Sequence, residues 1–266
     1  MKALVELAVR AALCGGKEIL EVYEKDFSVE YKDDNSPLTE ADQRANLIIE
    51  ESLRIAGKPI LSEEGRSIPY DERKGWNELW IVDPLDGTKE FIKKNGEFTV
   101  NIALIKNHFP VLGVIYVPVT GVLYFGANDI GAWKAVVPVK RGVSIPSMNE
   151  IEQSAERIPI TRGESSPFRI VASRSHMSPE TEVFIREQEK INGKAELVSM
   201  GSSLKICLVA EGSADLYPRF APTMEWDTAA GQAIAEAAGK KFIDFGTKER
   251  MRYNREDLLN GWFLVG

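Results

Sequence analysis

Asp83 and Asp86 stand three positions apart at the end of an apolar run, Trp80-Ile81-Val82, with Pro84 and Leu85 between them and Gly87-Thr88 behind. A strand end holds such groups rigidly, the proline stiffens the turn, and the glycine lets a ligand approach the backbone. The Leu85 carbonyl can be aimed at the same point as the two carboxylates. Together they make a set of hard oxygen donors suited to Mg²⁺. Asp-Pro and Asp-Gly are also ordinary turn dipeptides, so this segment alone fits a surface turn equally well.

Other acids could join it. Leu61-Ser62-Glu63-Glu64-Gly65 follows a second apolar approach and ends in glycine, although a solvated charge pair is the ordinary reading of Glu-Glu. Asp42 is the fourth residue of Thr39-Glu40-Ala41-Asp42, a capping box. Asp227, in Glu225-Trp226-Asp227-Thr228, falls where an N-cap is expected. Each acid has a structural alternative, and only the combination points to a metal site. Composition narrows the metal. Two His (His108, His176) cannot build a three-His zinc site, and Cys14 and Cys207 show no metal, redox or disulfide spacing. Metal chemistry must therefore rest mainly on carboxylates.

Forty Asp+Glu against 33 Lys+Arg give a net charge of −7, which argues against a nucleic-acid-binding face. Charged residues interrupt Met1 to Tyr23, so no signal-type segment is expected. No run reaches the roughly 20 apolar residues of a membrane span. A cytoplasmic protein is expected, with peripheral association at the inner membrane face left open and the oligomeric state unspecified.

The elements that must position these groups can be read next. The 266 residues, 44% hydrophobic, suffice for one large or two modest domains. Leu4, Leu7, Ala8, Ala11, Gly15, Ile19 and Val22 predict an opening amphipathic helix, and residues 32–37 a polar loop. A second helix follows Thr39, with Ala45, Ile48, Ile49 and Leu53 on one face, ended by Gly57 and Pro59. Trp80–Val82 reads as a strand broken by Asp83-Pro84. Thr99–Lys106, Val111–Val117 and Val122–Phe125 predict an antiparallel meander. Val136–Pro167 reads as surface loop, with a domain boundary near residue 150. Beyond it, strand at Phe168–Ala172, helix from Ser178, helix at Ser203–Ala210, strand at Ala214–Tyr217, helix at Thr228–Ala238 and strand at Trp262–Val265 alternate as in an α/β unit.

Four motifs occur in order through nearly the whole chain: Thr-x-x-Asp at a helix start, Glu-Glu, Asp-Pro-x-Asp-Gly-Thr, and a distant Trp-Asp before a helix of small residues. This pattern resembles the inositol monophosphatase superfamily of Mg²⁺-dependent, lithium-sensitive phosphatases. Asp83 to Ile92, Asn95 to Leu104, Ser173-Arg174-Ser175-His176 and Gly201 to Lys205 look specifically like the bacterial 3'(2'),5'-bisphosphate nucleotidases, which convert adenosine 3',5'-bisphosphate to AMP.

The resemblance implies a layered α-β-α-β-α fold of mixed α+β and α/β character. Residues 1–150 would form an antiparallel-sheet half carrying most metal ligands, and residues 151–266 an α/β half carrying Asp227 and the substrate residues. It implies two Mg²⁺ ions, or three, held by Glu63, Asp83, the Leu85 carbonyl, Asp86 and Asp227, with Asp83 bridging two of them. Asp42 and Thr88 would orient or deprotonate the attacking water, with Asp42 beside a third ion. Glu63, Leu85, Asp86, Gly87, Thr88 and Asp227 would surround the substrate phosphate, and His176, Ser202, Lys205 and Arg219 would hold the nucleotide and its second phosphate. The inositol-specific relatives carry an acid near the position of Arg219; a guanidinium suits phosphate oxygens instead. The Val136–Pro167 stretch is expected to be longer than in the nearest relatives, an insertion that would change the rim of the substrate cleft.

Three rival readings carry their own tests. A haloacid-dehalogenase phosphatase needs its second acid two positions after the first, and the spacing here is three (86 − 83). Hydrolysis of inositol phosphates or fructose 1,6-bisphosphate keeps the fold and differs in substrate. A non-catalytic metal- or nucleotide-binding regulator would have lost a ligand of the pattern, and every acid and Thr88 are present.

Overall fold

The opening helix spans Lys2–Tyr23 and buries Val5, Ala8, Ala12, Ile19 and Val22, as its apolar spacing dictates. The computed structural model describes residues 1–25, 29–31, 37–163, 166–172 and 177–266. Of the predicted polar loop at residues 32–37, residues 32–36 lie outside them and Pro37 opens a short strand, Pro37–Thr39. A second helix, Glu40–Leu53, starts at the expected capping box and is followed by a short 3-10 turn that ends at Gly57 with φ of 63°.

Both helices pack on one face of a seven-stranded sheet. Its strands run in the order Ile60–Ser62, Glu78–Asp86, Thr99–Lys106, Phe109–Val117, Val122–Ala127, Gly131–Val136 and Glu156–Ile158. The first pair is parallel and the rest is an antiparallel meander. Trp80 and Val82 enter the core beneath the two helices, whereas Leu79 and Ile81 enter a second core on the opposite face. Burial on both faces explains why these strands read as unbroken apolar runs.

The helix Glu225–Ala237 covers that second face, joined by the helix Leu204–Ala210. Its approach to the strand Phe109–Val117 is close: a Cβ at Gly113 would lie 2.2 Å from the Ala230 carbonyl oxygen. Only glycine fits between helix and strand there. Beyond this layer lies a second sheet. Tyr217–Arg219, Phe263–Val265 and Phe242–Asp244 form three antiparallel strands. The parallel pair Arg169–Val171 and Glu196–Val198 joins them through a bridge between Ile170 and Leu216. The helix Pro179–Asn192, capped by Ser178, packs outside through Ile185. The layers are helix, sheet, helix, sheet, helix, as expected.

Four expectations change, the first being that the strand expected at Ala214–Tyr217 runs instead over Tyr217–Arg219. The strand at Trp80 does not stop at Asp83-Pro84 but continues to Asp86, with an irregular register between Asp83 and Asp86. Asp83 pairs with Asn101 and Asp86 with Thr99, so one extra residue is accommodated, and Pro84 sits where the ladder requires no donor. Residues 136–167 are not one loop: Met148–Ser154 is a helix capped by Ser147 and Glu150, and Glu156–Ile158 is the seventh strand. Each is too short to show a period, with Met148 and Ile151 the helix's buried residues. A boundary at residue 150 would pass through this helix. The helix expected from Thr228 begins at Glu225, which places Asp227 inside its first turn rather than at the N-cap.

Candidate active site

The strand Glu78–Asp86 carries Asp83, Leu85 and Asp86 at its irregular end. Asp83 lies on the same face as Leu79 and Ile81 and is buried, and its Oδ1 accepts the Leu85 N–H at 3.0 Å. Glu63 comes from the loop after the neighbouring parallel strand, where its N–H donates to the Val82 carbonyl at 3.1 Å. Asp227 comes from the first turn of the helix on the same face, and its Oδ2 accepts the Met224 N–H at 2.8 Å. One carboxylate oxygen from each of Glu63, Asp83 and Asp227 lies within 4.8 Å of the other two.

Such a cluster is electrostatically unfavourable without a counter-charge. Burial, and then the neighbouring Glu63, Asp86 and Asp227, hold the Asp83 carboxyl well above the usual range. Asp227 is pushed up to about 8 by burial and by Asp86, against the Met224 N–H. Asp86 is raised by burial and pulled back by Lys205, the Ser203 N–H and Asn101. An all-oxygen donor set whose own charges repel one another matches a hard divalent cation.

Asp42 and Thr88 meet. Thr88 Oγ1 donates to Asp42 Oδ1 at 3.2 Å, with the Leu85 carbonyl 3.5 Å away. The other Asp42 oxygen accepts the Thr39 N–H at 2.8 Å and the Thr39 hydroxyl at 2.6 Å. The capping box and the Thr88 contact thus use different oxygens, so capping leaves the oxygen that meets Thr88 available. Gly87 precedes the short helix Thr88–Ile92 with φ of 96°, and a Cβ there would meet Ser202 Oγ at 2.3 Å.

A cavity of about 160 Å³ is lined by Asp86, Gly87, Ser202, Lys205, Arg219 and Asp227. Ser202, at φ of 49°, shares its hydroxyl proton between the carbonyls of Glu97 (2.6 Å) and Asp86 (2.9 Å), and so clasps the loop to the strand end. Lys205 Nζ donates to the Ser202 carbonyl at 3.2 Å; burial lowers its pKa, Asp86 opposes this and Arg219 adds to it. Arg219 Nη2 donates to the Pro222 carbonyl at 3.2 Å, while its buried Nε has no acceptor among the described residues. Lys205, Tyr217 and Arg219 also line a second cavity, of about 40 Å³, with Ser178, Thr181 and Phe220. His176 lies outside the described residues.

Sequence reasoning missed the groups that hold Asp86. Its Oδ2 accepts the Ser203 N–H at 2.6 Å and Asn101 Nδ2 at 3.3 Å, with Thr99 Oγ1 at 3.5 Å. Thr99, Asn101 and Ser203 are all buried and bonded to one another. The available signal was two polar residues at alternate positions opening an otherwise apolar strand.

A model of the inositol monophosphatase family matches residues 1–262. The 3'(2'),5'-bisphosphate nucleotidase CysQ of Salmonella typhimurium is 43% identical over 266 aligned residues, spanning 98% of this chain and 99% of that protein. The protein of the same name from Escherichia coli strain K12 is 42% identical at the same coverage. A crystal structure of CysQ from Bacteroides thetaiotaomicron superposes with a TM-score of 0.90 at 52% identity, covering 100% of this chain and 97% of that one. The Thermotoga maritima IMPase, 21% identical with a TM-score of 0.72, shares the fold.

Proposed function

The chain belongs to the inositol monophosphatase family, and we propose on that footing that it removes the 3'-phosphate of adenosine 3',5'-bisphosphate, and of its sulfated precursor, to leave the 5'-substituted nucleotide and phosphate. The observation that carries the reading is the placement of Glu63, Asp83 and Asp227 within 4.8 Å of one another. Asp86 and Asp227, in turn, share a cavity with Lys205 and Arg219. The site is built for a metal-assisted reaction on one phosphate and cationic recognition of more substrate beside it.

The donor set fits Mg²⁺, with Glu63, Asp83, the Leu85 carbonyl, Asp86 and Asp227 as its holders. When bound, paired divalent ions supply charge neutralisation of the phosphate and leaving oxygen and ease ionisation of a water. The chain's residues do the positioning. Thr88, its proton committed to Asp42, presents hydroxyl lone pairs that can accept a proton of the attacking water and orient it. Asp42 lies one hydrogen bond further on and can take up a proton passed through Thr88. Asp86 is kept in place by Ser203, Asn101 and Thr99. Lys205 and Arg219 supply the positive charge for a second phosphate, Arg219 with a buried Nε that has no acceptor among the described residues. A net charge of −7 is no obstacle, because bound cations invert the local field.

No helix among the described residues is long and apolar enough to cross a membrane. The decisive experiment is a phosphate-release panel in Mg²⁺ over adenosine 3',5'-bisphosphate, inositol 1-phosphate and fructose 1,6-bisphosphate. The first should be hydrolysed best. Ready hydrolysis of inositol 1-phosphate with none of the nucleotide would overturn the assignment, and nucleotide binding without turnover would favour a regulator.

A further inference from the structure

Glu63 and Asp227 lie within 4.8 Å of each other in space although 164 positions (227 − 63) separate them in sequence. Both are acids, and both face Asp83, so without a cation their ionised forms can share this space only at an electrostatic cost. The two carrying segments must be held in place against that cost. Contacts behind them, together with the ten positions (73 − 63) of chain from Glu63 to Arg73, link the two segments.

On the Asp227 side, Glu225, the first residue of the helix, is fully buried. Its carboxylate accepts the Asn254 N–H at 2.6 Å, the Arg255 N–H at 3.1 Å and Arg255 Nε at 3.1 Å. The same turn is gripped twice more. The Glu225 N–H donates to the Leu258 carbonyl at 3.0 Å, and Asn260 Nδ2 donates to the Met224 carbonyl at 2.7 Å. Residues 254–260 therefore wrap the helix turn that presents Asp227.

On the Glu63 side, the chain runs from Glu63 through Gly65 to the short helix Tyr70–Arg73. Arg73 is buried, and its guanidinium reaches the segment that wraps the other acid. Nη1 donates to Asn254 Oδ1 at 3.1 Å and to the Arg255 carbonyl, and Nη2 donates to the Glu256 carbonyl at 2.9 Å. Asn254 returns the contact, its Nδ2 donating to the Arg73 carbonyl at 2.8 Å. Asn254 has φ of 58°, a left-handed conformation that asparagine tolerates better than most residues.

We infer that Arg73, Asn254 and Glu225 form a cross-brace that sets the separation of Glu63 and Asp227, and through it the affinity of the site for divalent cations. The inference rests on the metal-centre reading above. None of the three is assigned a contact with metal or substrate; they are positioning residues. A fully buried carboxylate meeting two backbone N–H groups and a guanidinium is a rigid joint, because any shift leaves a buried charge or donor unpaired. Arg73 serves the same end on the other side, gripping three oxygens at once through a planar fork.

The test uses the full chain, stripped of metal and titrated with Mn²⁺, the free ion followed by its electron paramagnetic resonance signal. Asn254→Gly keeps the left-handed backbone and removes only the side-chain link to Arg73. It should weaken Mn²⁺ binding by about tenfold, the usual scale for groups that orient metal ligands. The Mg²⁺ concentration for half-maximal turnover should rise by a similar factor, while kcat and KM at saturating Mg²⁺ stay within about twofold. Arg73→Lys, which keeps the charge and loses the fork, should behave the same way, and it decides the matter if Asn254→Gly does not fold.

Tyr124→Phe is the control. It removes the hydroxyl that donates to buried Glu211 at 2.8 Å and should lower the thermal midpoint without changing Mn²⁺ affinity. Unchanged Mn²⁺ binding in folded Asn254→Gly or Arg73→Lys would overturn the brace. So would an equal loss in Tyr124→Phe, which would reduce the effect to general destabilisation. Absence of Mn²⁺ binding in the parent protein would instead overturn the metal centre itself.

Discussion

Thr88 and Asp42, 46 positions apart, are joined by one hydrogen bond of 3.2 Å, made by the Asp42 oxygen that the capping box does not use. Asp42 is thereby held from two sides, and Thr88 can present its remaining lone pairs to water. Thr88→Val keeps the shape and removes the relay. We expect kcat to fall by ~10²–10⁴, the range of general acid–base contributions, with Mn²⁺ affinity nearly unchanged. Thr88→Ser should recover most of the loss. A valine variant with near-parental kcat would mean that the hydroxyl only supports the turn.

Asp227 separates two roles that share one residue. As a donor-satisfying group in the first helical turn it accepts the Met224 N–H, a task that Asn performs about as well. As a metal ligand it must carry charge. Asp227→Asn should therefore fold normally without metal, yet lose at least about 100-fold in turnover, roughly 2.7 kcal/mol in barrier. Near-normal turnover would show that the helix turn alone explains the residue.

The raised carboxyls set the sign of a pH effect. Asp227 titrates near 8 in the folded protein, and Asp83 and Asp86 are raised as well, with burial the first cause for all three. Groups that hold protons more tightly when folded contribute stability below their unfolded value, near 4, and lose it as pH rises through the folded value. The metal-free protein should thus lose thermal stability from about pH 5 to about pH 8 relative to Asp227→Asn. Saturating Mg²⁺ should raise the midpoint more at the higher pH. Calorimetric scans with chelator and with Mg²⁺ measure both, and a Mg²⁺ effect larger at the lower pH contradicts the expectation.

Arg219 tests substrate choice. It lines the cavity shared with Asp86 and Asp227, and charge-assisted contacts of its kind are worth ~1.5–3 kcal/mol. Arg219→Glu should lower kcat/KM for adenosine 3',5'-bisphosphate at least about tenfold and affect inositol 1-phosphate much less, because that substrate has no second phosphate to lose. Parallel losses on both substrates would assign Arg219 to the metal site or the fold.

What the sequence by itself determined was local. The capping box at Thr39 and Asp42, the glycine stop at Gly57, the spacing of Asp83 and Asp86 and the order of the four acidic motifs are properties of short segments, and each is found as read. Tertiary structure decided what depends on distant packing. Whether Asp83 faced the first core or the second followed from the pairing of its strand with Thr99–Lys106, because a shift of one residue moves a side chain to the other face. The partnership of Asp86 with Thr99, Asn101 and Ser203 required a strand and a helix start more than a dozen residues away to meet it. The strand Glu156–Ile158 has three residues and no period of its own; it is a strand because Gly131–Val136 offers it an edge. Asp227 reaches Asp83 because Gly113 lets its helix lie against the sheet, and no pattern near either aspartate encodes that approach.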